Sequence, residues 1–326
     1  MLVQAKRFAK GSARSLLDSL GLFPHAKRGV EWLRALPYWH KTKFIMQIAG
    51  AEVSFVTRDA HSKVWCHRRH ENRQEDLHEP AIIKAFARCV GDAAVFADVG
   101  GHIGYYSCIA GVLNPQLKIF CFEMNRRLVP LIEVNFQANA LRNAIVVPSP
   151  VADKNKLVSY DGISKSGGQS IYTEKKLAQK STNRVYSETI TLDEYFDQRG
   201  IFPDILKIDV EGAEMDVLRG AALLLKKREP LLFLELHPKN LISFSSSVAE
   251  IVEYLQQARY SFYKTSYFRM DGSLNPIDPV ELSSLDKSDM VICVPEGQAW
   301  RWDGSPEDCS GQHSRRTSDE AASEFF

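Results

Sequence analysis

The sequence lacks the features that mark several large classes of protein. Its 41 basic and 40 acidic residues leave a formal net charge of +1, so no strong overall field attracts nucleic acid. No apolar run is long enough to cross a membrane. The six cysteines form no Cys-x-x-Cys pair, so no zinc site is indicated. We therefore predict a cytoplasmic globular protein with reduced thiols, no nucleic-acid partner and no transmembrane segment.

Composition divides the chain into three parts. Residues 1–90 predict an extension of helices and one β-hairpin, whose two apolar runs flank Ala49 and Gly50. Residues 91–302 predict one α/β domain, and residues 303–326 have too few apolar residues to fold. The basic N-terminus predicts an amphipathic helix that packs on the domain, with contact to a membrane surface as the alternative.

From residue 93 onward, short apolar runs alternate with segments of helical periodicity. The predicted strands are Val95–Val99, Lys118–Phe122, Ala144–Pro148, Ile205–Val210 and Leu231–Leu236. The predicted helices that follow them cover 104–112, 127–140, 213–227 and 247–258. Because the strands are apolar on both faces, the pattern predicts a doubly wound α/β fold with a mostly parallel sheet between helices.

Three glycines follow the first of these strands, at positions 100, 101 and 104. Their spacing differs from the G-x-G-x-x-G of dinucleotide-binding proteins. The turn lies at the carboxyl edge of the sheet, where ligands of such folds bind, and the next helix presents free N–H groups there. Asp98 would repel a pyrophosphate but accept a hydrogen bond from an amine. The pattern D-x-G-x-x-x-G therefore fits S-adenosylmethionine (SAM) better than NAD.

An acid closes the next apolar run, because Glu123 follows the residues IFCF. A carboxylate at the tip of the second strand can accept hydrogen bonds from both hydroxyls of a ribose. This position indicates a nucleoside cofactor without naming it. The alternative is a solvated acid at the end of a loop.

The segment DILKIDVEGAEMDVLRGA places Asp209 at the carboxyl end of the fourth predicted strand. Lys207 lies inside that buried strand, which is costly unless a carboxylate pairs with it. Glu211 is expected either to cap the next helix or to take part in chemistry. Glu214 is expected on the helix, in a structural role.

One strand later, the segment LLFLELHP places Glu235 and His237 two residues apart, on the same side of an extended chain. A histidine at a strand end beside the cleft is a candidate general base, with packing or capping as the alternative. The acids and the histidine at this edge could also hold a divalent cation. No ligand spacing requires one, so we predict a site without metal.

Together these segments resemble the FkbM family of SAM-dependent methyltransferases. The resemblance rests on FADVGGHIGYYS, IFCFEMN, VVPSPVADKN, ITLDEYF, ILKIDVEGAEMDVLRGA and LLFLELHP, in the family's order over about residues 90–240. It implies a class I methyltransferase fold, a seven-stranded sheet whose last strand is antiparallel. It further implies SAM as cofactor and O-methylation of a hydroxyl on a sugar, glycan or natural-product acceptor. A catalytically silent SAM-binding scaffold and a nicotinamide-dependent oxidoreductase are the alternatives.

The resemblance also assigns site residues. The cofactor-binding residues would be Asp98, Gly100, Gly101, His102, Gly104, Glu123, Met124, Asp153 and Asp209. By the family pattern Asp209 would also lie near the reacting methyl, and our own hypothesis from the positions at the sheet edge is that the catalytic residues are Asp209, Glu235 and His237. His237 or Asp209 would orient or deprotonate the hydroxyl, and Glu235 would orient the histidine or support the acceptor pocket. The sequence departs from the family at Gly101, where alanine is common, and at His102, where a small polar residue is usual.

Overall fold

The computed structural model describes residues 42–57, 79–161, 184–265 and 273–296. The strands in these ranges are β1 (Lys43–Ile48), β2 (Ala51–Val56), β3 (Val95–Val99), β4 (Lys118–Phe122), β5 (Ala144–Val147), β6 (Leu157–Asp161), β7 (Arg184–Glu188), β8 (Ile205–Ile208), β9 (Leu231–Leu236), β10 (Tyr260–Lys264), β11 (Asn275–Pro276) and β12 (Asp289–Pro295). The helices are α1 (Pro80–Gly91), α2 (Tyr105–Leu113), α3 (Val129–Ala138), α4 (Leu192–Asp197), α5 (Glu214–Arg219), α6 (Ala222–Lys227), α7 (Pro238–Leu241), α8 (Val248–Gln257) and α9 (Pro279–Ser283). The predicted N-terminal helix, with its membrane-surface alternative, and the predicted disordered tail lie outside the described residues.

The main sheet has the strand order β11-β10-β12-β9-β8-β3-β4-β5. The strands from β9 to β5 run parallel to one another. In contrast, β12 runs antiparallel to both of its neighbours, β9 and β10. This order confirms the α/β class and the antiparallel last strand that the resemblance implies. The sheet has one strand more than expected, because the short β11 pairs with the outer edge of β10.

Helices cover both faces of this sheet, as the two-sided apolar strands predict. On one face, α1, α2 and α3 pack with the hairpin β1–β2. Phe86 of α1 makes edge-on ring contacts there with Phe96, Tyr106 and Phe233 at centroid distances of 5.1, 5.0 and 5.2 Å. On the other face, α4, α5, α6 and α8 pack on the alternate residues of the same strands. The carboxyl ends of the parallel strands are thus held at one rigid edge.

The predicted hairpin is present, and α3 fixes its position. Two asparagines hydrogen-bond the backbone of β2: Asn139, directly after α3, accepts at Oδ1 from Ser54 N, and Asn135 of α3 accepts at Oδ1 from Val56 N, both at 2.7 Å. These side chains supply the partners that a further strand would otherwise supply to this edge. The hairpin therefore shares one hydrophobic core with the α/β part. The predicted domain boundary near residue 90 stays a prediction.

The predicted helix over residues 213–227 is two helices, α5 and α6. At Gly220, between them, an added Cβ would lie 2.1 Å from the carbonyl oxygen of Ala152. The helix is interrupted here because the backbone at Gly220 packs directly against the backbone at Ala152, in the segment that follows β5. The predicted strand Ile205–Val210 is observed as β8 and ends two residues earlier than predicted, since Glu211 and Gly212 turn the chain with φ of 56° and 118°.

The stretch of residues 160–188 is rich in Gly, Ser and Lys, a composition that predicts either a mobile loop over the site or a solvated hairpin. Its flanks, β6 and β7, pair antiparallel from Leu157–Glu188 to Asp161–Arg184. This agrees with the hairpin alternative for the flanks. The part between them, where the loop over the site was the other expectation, lies outside the described residues.

Candidate active site

The glycine turn is locked against two strand ends. Gly100 N and Gly101 N both donate to Phe122 O, at 2.9 and 3.0 Å. Gly100 has φ of 84°, and a Cβ added there would lie 1.8 Å from the backbone oxygen of Asp209. Gly104 has φ of 78° and begins α2. The turn therefore needs glycine at position 100 for its conformation and for its contact with the end of β8.

The departure at Gly101 has a local cause. A Cβ added at Gly101 would lie 2.1 Å from Cys121 Sγ, and Cys121 is fully buried in β4. The cysteine side chain occupies the volume that an alanine methyl would need. Glycine and cysteine at these two positions thus form one packing solution.

We expect Gly101→Ala to destabilise the protein by about 1–3 kcal/mol, because the added methyl overpacks a full core. In Gly101→Ala with Cys121→Ala, the methyl gains the volume that the thiol leaves. The double variant should therefore be more stable than the sum of the two single effects, by about 1 kcal/mol or more. Urea unfolding of the four proteins measures this coupling, and strictly additive losses would contradict the packing argument.

Glu123 ties the tip of β4 to the glycine turn. Its Oε2 accepts from His102 N and its Oε1 from Asn125 N, both at 2.7 Å. His102 has φ of 54°, a conformation in which asparagine and histidine are both enriched, which accounts for the departure at this position. Each carboxylate oxygen keeps a second acceptor site, so Glu123 is still able to accept from a ribose.

Burial raises the pKa of Glu123 from 4.5 to about 7, against the lowering effect of the two amide hydrogen bonds and of Lys207. Because the folded value exceeds the unfolded one, ionisation of this group opposes folding as the pH rises from about 4.5 to 7. We expect the free energy of unfolding of the wild type to fall by about 3 kcal/mol more than that of Glu123→Gln over this interval. Denaturant unfolding at several pH values checks this, and parallel pH profiles would contradict it.

Asp98 lies beneath the turn and does not open to the cleft. Its side chain is fully buried, accepts from Ser107 Oγ at 2.7 Å and lies 3.6 Å from Lys207 Nζ. Lys207 Nζ also donates to Gly100 O at 3.2 Å and to Asp209 Oδ2 at 3.4 Å. The predicted pairing of Lys207 is confirmed. This lysine links the turn to the end of β8, and the contact of Asp98 with an amine of the cofactor stays a prediction.

Four carboxylates surround the imidazole of His237. Its Nδ1 lies 2.7 Å from Glu214 Oε1. Its Nε2 lies 3.4 Å from Glu235, 3.6 Å from Glu211 and 3.8 Å from Asp209. The sequence-predicted catalytic residues Asp209, Glu235 and His237 therefore do meet at one edge, together with two further acids.

The turn after β8 brings in those two further acids. Glu214 is fully buried at the start of α5, and its Oε1 also accepts from Gly212 N at 2.9 Å. Glu211 does not cap α5; its Oε2 accepts from Asn240 Nδ2 at 3.1 Å and faces His237. Sequence reasoning missed the contact of Glu214 with His237, because the spacing of 23 residues between them carries no periodic signal.

The carboxylates set the charge of His237. Burial opposes its protonation, but the contacts with Glu214 and Glu235 raise its pKa to about 11. A protonated imidazole donates from both nitrogens, so in the absence of a ligand this environment favours a positioning role for His237, and the general-base role stays a prediction. Burial and the charge of Asp209 raise the pKa of Glu235 to about 7.

Asp153 and Met124 lie in the segments that follow β5 and β4. Asp153 Oδ1 accepts from Lys156 Nζ at 2.7 Å, and the same ammonium lies 3.3 Å from Asp216 of α5. Met124 is half-buried next to Glu123. The ion pairs hold the segment after β5 on α5, beside the edge that carries the glycine turn.

One further buried acid near this edge, Glu79, is not among the residues that the sequence pattern indicates. Glu79 precedes α1, is almost completely buried, and accepts a hydrogen bond from the hydroxyl of Tyr106. The ring of Tyr106 lies 5.3 Å from Lys207 Nζ. Nothing in the local pattern marks Glu79, since its burial depends on α2 packing over it.

Across the described residues, no helix combines the length and the apolar character that crossing a bilayer requires.

Comparisons with known proteins identify the family of this chain. The "Methyltransferase FkbM domain" family profile matches residues 98–262, which is half of the chain. Hexuronic acid methyltransferase AglP of Haloferax volcanii is 24% identical over 198 residues, covering 58% of this chain and 73% of that protein.

Two solved structures align with part of this chain at low identity and low TM-score. The crystal structure of methyltransferase FkbM from Methylobacillus flagellatus KT is 13% identical with a TM-score of 0.39, covering 62% of this chain and 44% of that one. This chain thus spans less than half of that protein. Precorrin-6y C5,15-methyltransferase from Geobacter metallireducens GS-15 is 16% identical with a TM-score of 0.36, covering 65% of this chain and 87% of that one. On the extent of the family match, this chain belongs to the FkbM methyltransferase domain family.

Proposed function

We propose that this methyltransferase uses SAM to methylate a hydroxyl of a sugar or glycan. One observation carries the proposal: the glycine turn and the acid–histidine cluster are in direct contact. The 1.8 Å that separates a hypothetical Gly100 Cβ from Asp209 O measures how closely they pack. A cofactor on the turn would place its reactive end beside the cluster.

The charges at this edge favour SAM over a dinucleotide. SAM carries a positive sulfonium and a positive amine, and no phosphate. Asp209, Glu211 and Glu235 present carboxylates at the ends of β8 and β9, which attract those cations and repel a pyrophosphate. Glu123 would accept from the ribose, and Asp153 with its neighbours would lie near the adenine. This argues against the oxidoreductase alternative.

The transfer itself is an in-line displacement. The acceptor oxygen forms a bond to the methyl carbon, the carbon–sulfur bond breaks, and the sulfur leaves as a neutral thioether. The hydroxyl proton passes to a carboxylate, for which Asp209 and Glu235 are in place, and His237 holds both of them in position. Alignment of the three reacting atoms can contribute about 7–11 kcal/mol of the barrier reduction.

The acceptor class rests on the relative and on the charge of the edge. AglP is named for a hexuronic acid, which carries hydroxyls and one carboxyl group. Neutral hydroxyls are compatible with an acid-lined edge, since they donate hydrogen bonds to carboxylates. A free carboxylate would be repelled there unless a cation lay between the charges.

The proposal is tested by transfer of labelled methyl from SAM to a panel of neutral glycosides and hexuronides. We expect label in an ether, which resists mild alkali, and not in a methyl ester, which alkali hydrolyses. Label that alkali releases would show that the acceptor atom is a carboxyl oxygen and would contradict hydroxyl methylation. SAM binding without transfer to the panel or to a cell extract would favour the silent scaffold.

A further inference from the structure

Three side chains at the carboxyl edge are arranged as metal ligands. Asp209, Glu211 and His237 each offer one donor atom, and these atoms lie within 4.8 Å of one another. We infer that Asp209, Glu211 and His237 form a binding site for a divalent transition-metal cation such as Mn²⁺, inside the acceptor cleft. Neither the family match nor the relatives assign such a site.

The orientation of His237 is the first argument. Glu214 engages Nδ1 at 2.7 Å, which fixes the ring and aims Nε2 at the other acids. A carboxylate that holds the far nitrogen of a ligating histidine is the usual outer support of a metal site. Glu214 is itself held by Gly212 N at 2.9 Å. The backbone turn after β8 thus sets the direction of the imidazole.

The distances around Nε2 are the second argument. The side chain of His237 is only 6% exposed, yet its Nε2 lies 3.4, 3.6 and 3.8 Å from the nearest oxygens of Glu235, Glu211 and Asp209. Good N–H···O hydrogen bonds measure about 2.7–3.2 Å. Two ligand atoms that share an ion at about 2.0–2.2 Å lie roughly 3–3.6 Å apart. The distances from Nε2 to the two proposed ligands, Glu211 and Asp209, are 3.6 and 3.8 Å, longer than a good hydrogen bond and at or just above the upper end of the ligand range, so a small inward movement of the carboxylates would enclose an ion.

The donor set and its access indicate which ion fits. One imidazole with two carboxylates suits Mn²⁺, Fe²⁺ or Zn²⁺ better than Mg²⁺ or Ca²⁺, which prefer oxygen donors alone. The side chains of Asp209 and Glu211 are 29% and 32% exposed. An ion between them is therefore reachable from the cleft and keeps positions for an oxygen of the acceptor.

The balance of charge is the third argument. Besides the three ligands, Glu214 and Glu235 contribute carboxylates to the same group. Lys207, the ammonium in contact with it, is shared with Asp98. The acids outnumber the two basic groups, Lys207 and His237, and His237 binds a metal only after it releases the proton of Nε2, as ligating imidazoles do. A divalent ion supplies two charges at the point where the acids converge.

The role of the ion rests on the proposed function. An acceptor hydroxyl on the ion loses its proton more readily, because the metal stabilises the alkoxide. The proton passes to the Glu235 carboxylate, the oxygen takes the methyl, and the thioether leaves. The ion also lies between the acids and a carboxylate on the acceptor, which allows a hexuronide to bind.

Equilibrium dialysis of the untagged, chelator-treated full chain against MnCl₂ tests the site directly. We expect about one Mn²⁺ per chain, and binding at least about tenfold weaker in Glu211→Gln, which keeps the size and the Asn240 contact of the side chain. His237→Gln should bind as weakly. Glu133→Gln removes an exposed acid on α3 and should match the wild type. Absence of saturable Mn²⁺ binding, or unchanged binding in Glu211→Gln, would overturn the inference.

Calorimetry with SAM on the same samples separates this inference from the proposed function. Mn²⁺ binding without SAM binding would contradict the function and leave the metal site standing. SAM binding and full methyl transfer in the presence of EDTA, without Mn²⁺ binding, would support the function and contradict the metal site.

Discussion

Gly100→Ala should abolish SAM binding and destabilise the fold by about 2–5 kcal/mol, a large share of the stability of a typical domain. Two costs add at this position. An alanine is strained at a φ of 84°, and its Cβ would lie 1.8 Å from a backbone oxygen that cannot rotate away. Either Gly100 or the end of β8 must move, and the glycine turn moves with it.

Gly50→Ala is the matched control for that variant. Gly50 has φ of 80°, but a Cβ added there meets nothing within 4 Å. Only the backbone strain of about 1–2 kcal/mol is expected, with SAM binding unchanged. Urea unfolding and SAM calorimetry of both variants make the comparison. Equal losses in the two would show that contact with Asp209 does not matter.

Asp209→Asn should lower the rate of methyl transfer by about 10²–10⁴-fold, because it removes a carboxylate that accepts the hydroxyl proton in a metal-free mechanism and holds the ion in a metal-assisted one. The side chain keeps its shape but loses its charge. Lys207 keeps Asp98 as a partner at 3.6 Å, so the fold should tolerate the change. SAM affinity should fall far less than the rate, because the turn and Glu123 remain.

Single-turnover transfer of labelled methyl to the acceptor found in the panel measures this effect, with Glu133→Gln as the matched loss of an exposed acid. A rate within twofold of the wild type would remove Asp209 from the chemistry. A loss of SAM affinity as large as the loss of rate would place it in cofactor binding alone.

The sequence predicts the strands of the site well because their ends are chemically sharp. Three predicted strands, observed as β3, β4 and β9, end where predicted, at Val99, Phe122 and Leu236. Each apolar run is followed directly by a glycine, a glutamate or a histidine, at positions 100, 123 and 237. These residues interrupt a buried strand. Such a change in polarity is visible in a few neighbouring residues.

The interior of the site was less predictable, because it depends on contacts between distant residues. The break between α5 and α6 arises where Gly220 meets the backbone of Ala152. The charge of His237 depends on Glu214. A histidine at a strand end is compatible with a base or a cation, and only the surrounding acids decide between them. Local sequence patterns contain no information about such contacts between residues that are distant in the sequence.

The central claim is that the glycine turn and Glu123 bind SAM. Its most direct test is calorimetric titration of the purified chain with SAM and, separately, with NADH, repeated on Glu123→Ala. The account predicts that SAM binds, that NADH does not, and that the variant loses SAM affinity. A chain that binds NADH, or that binds neither, would contradict it.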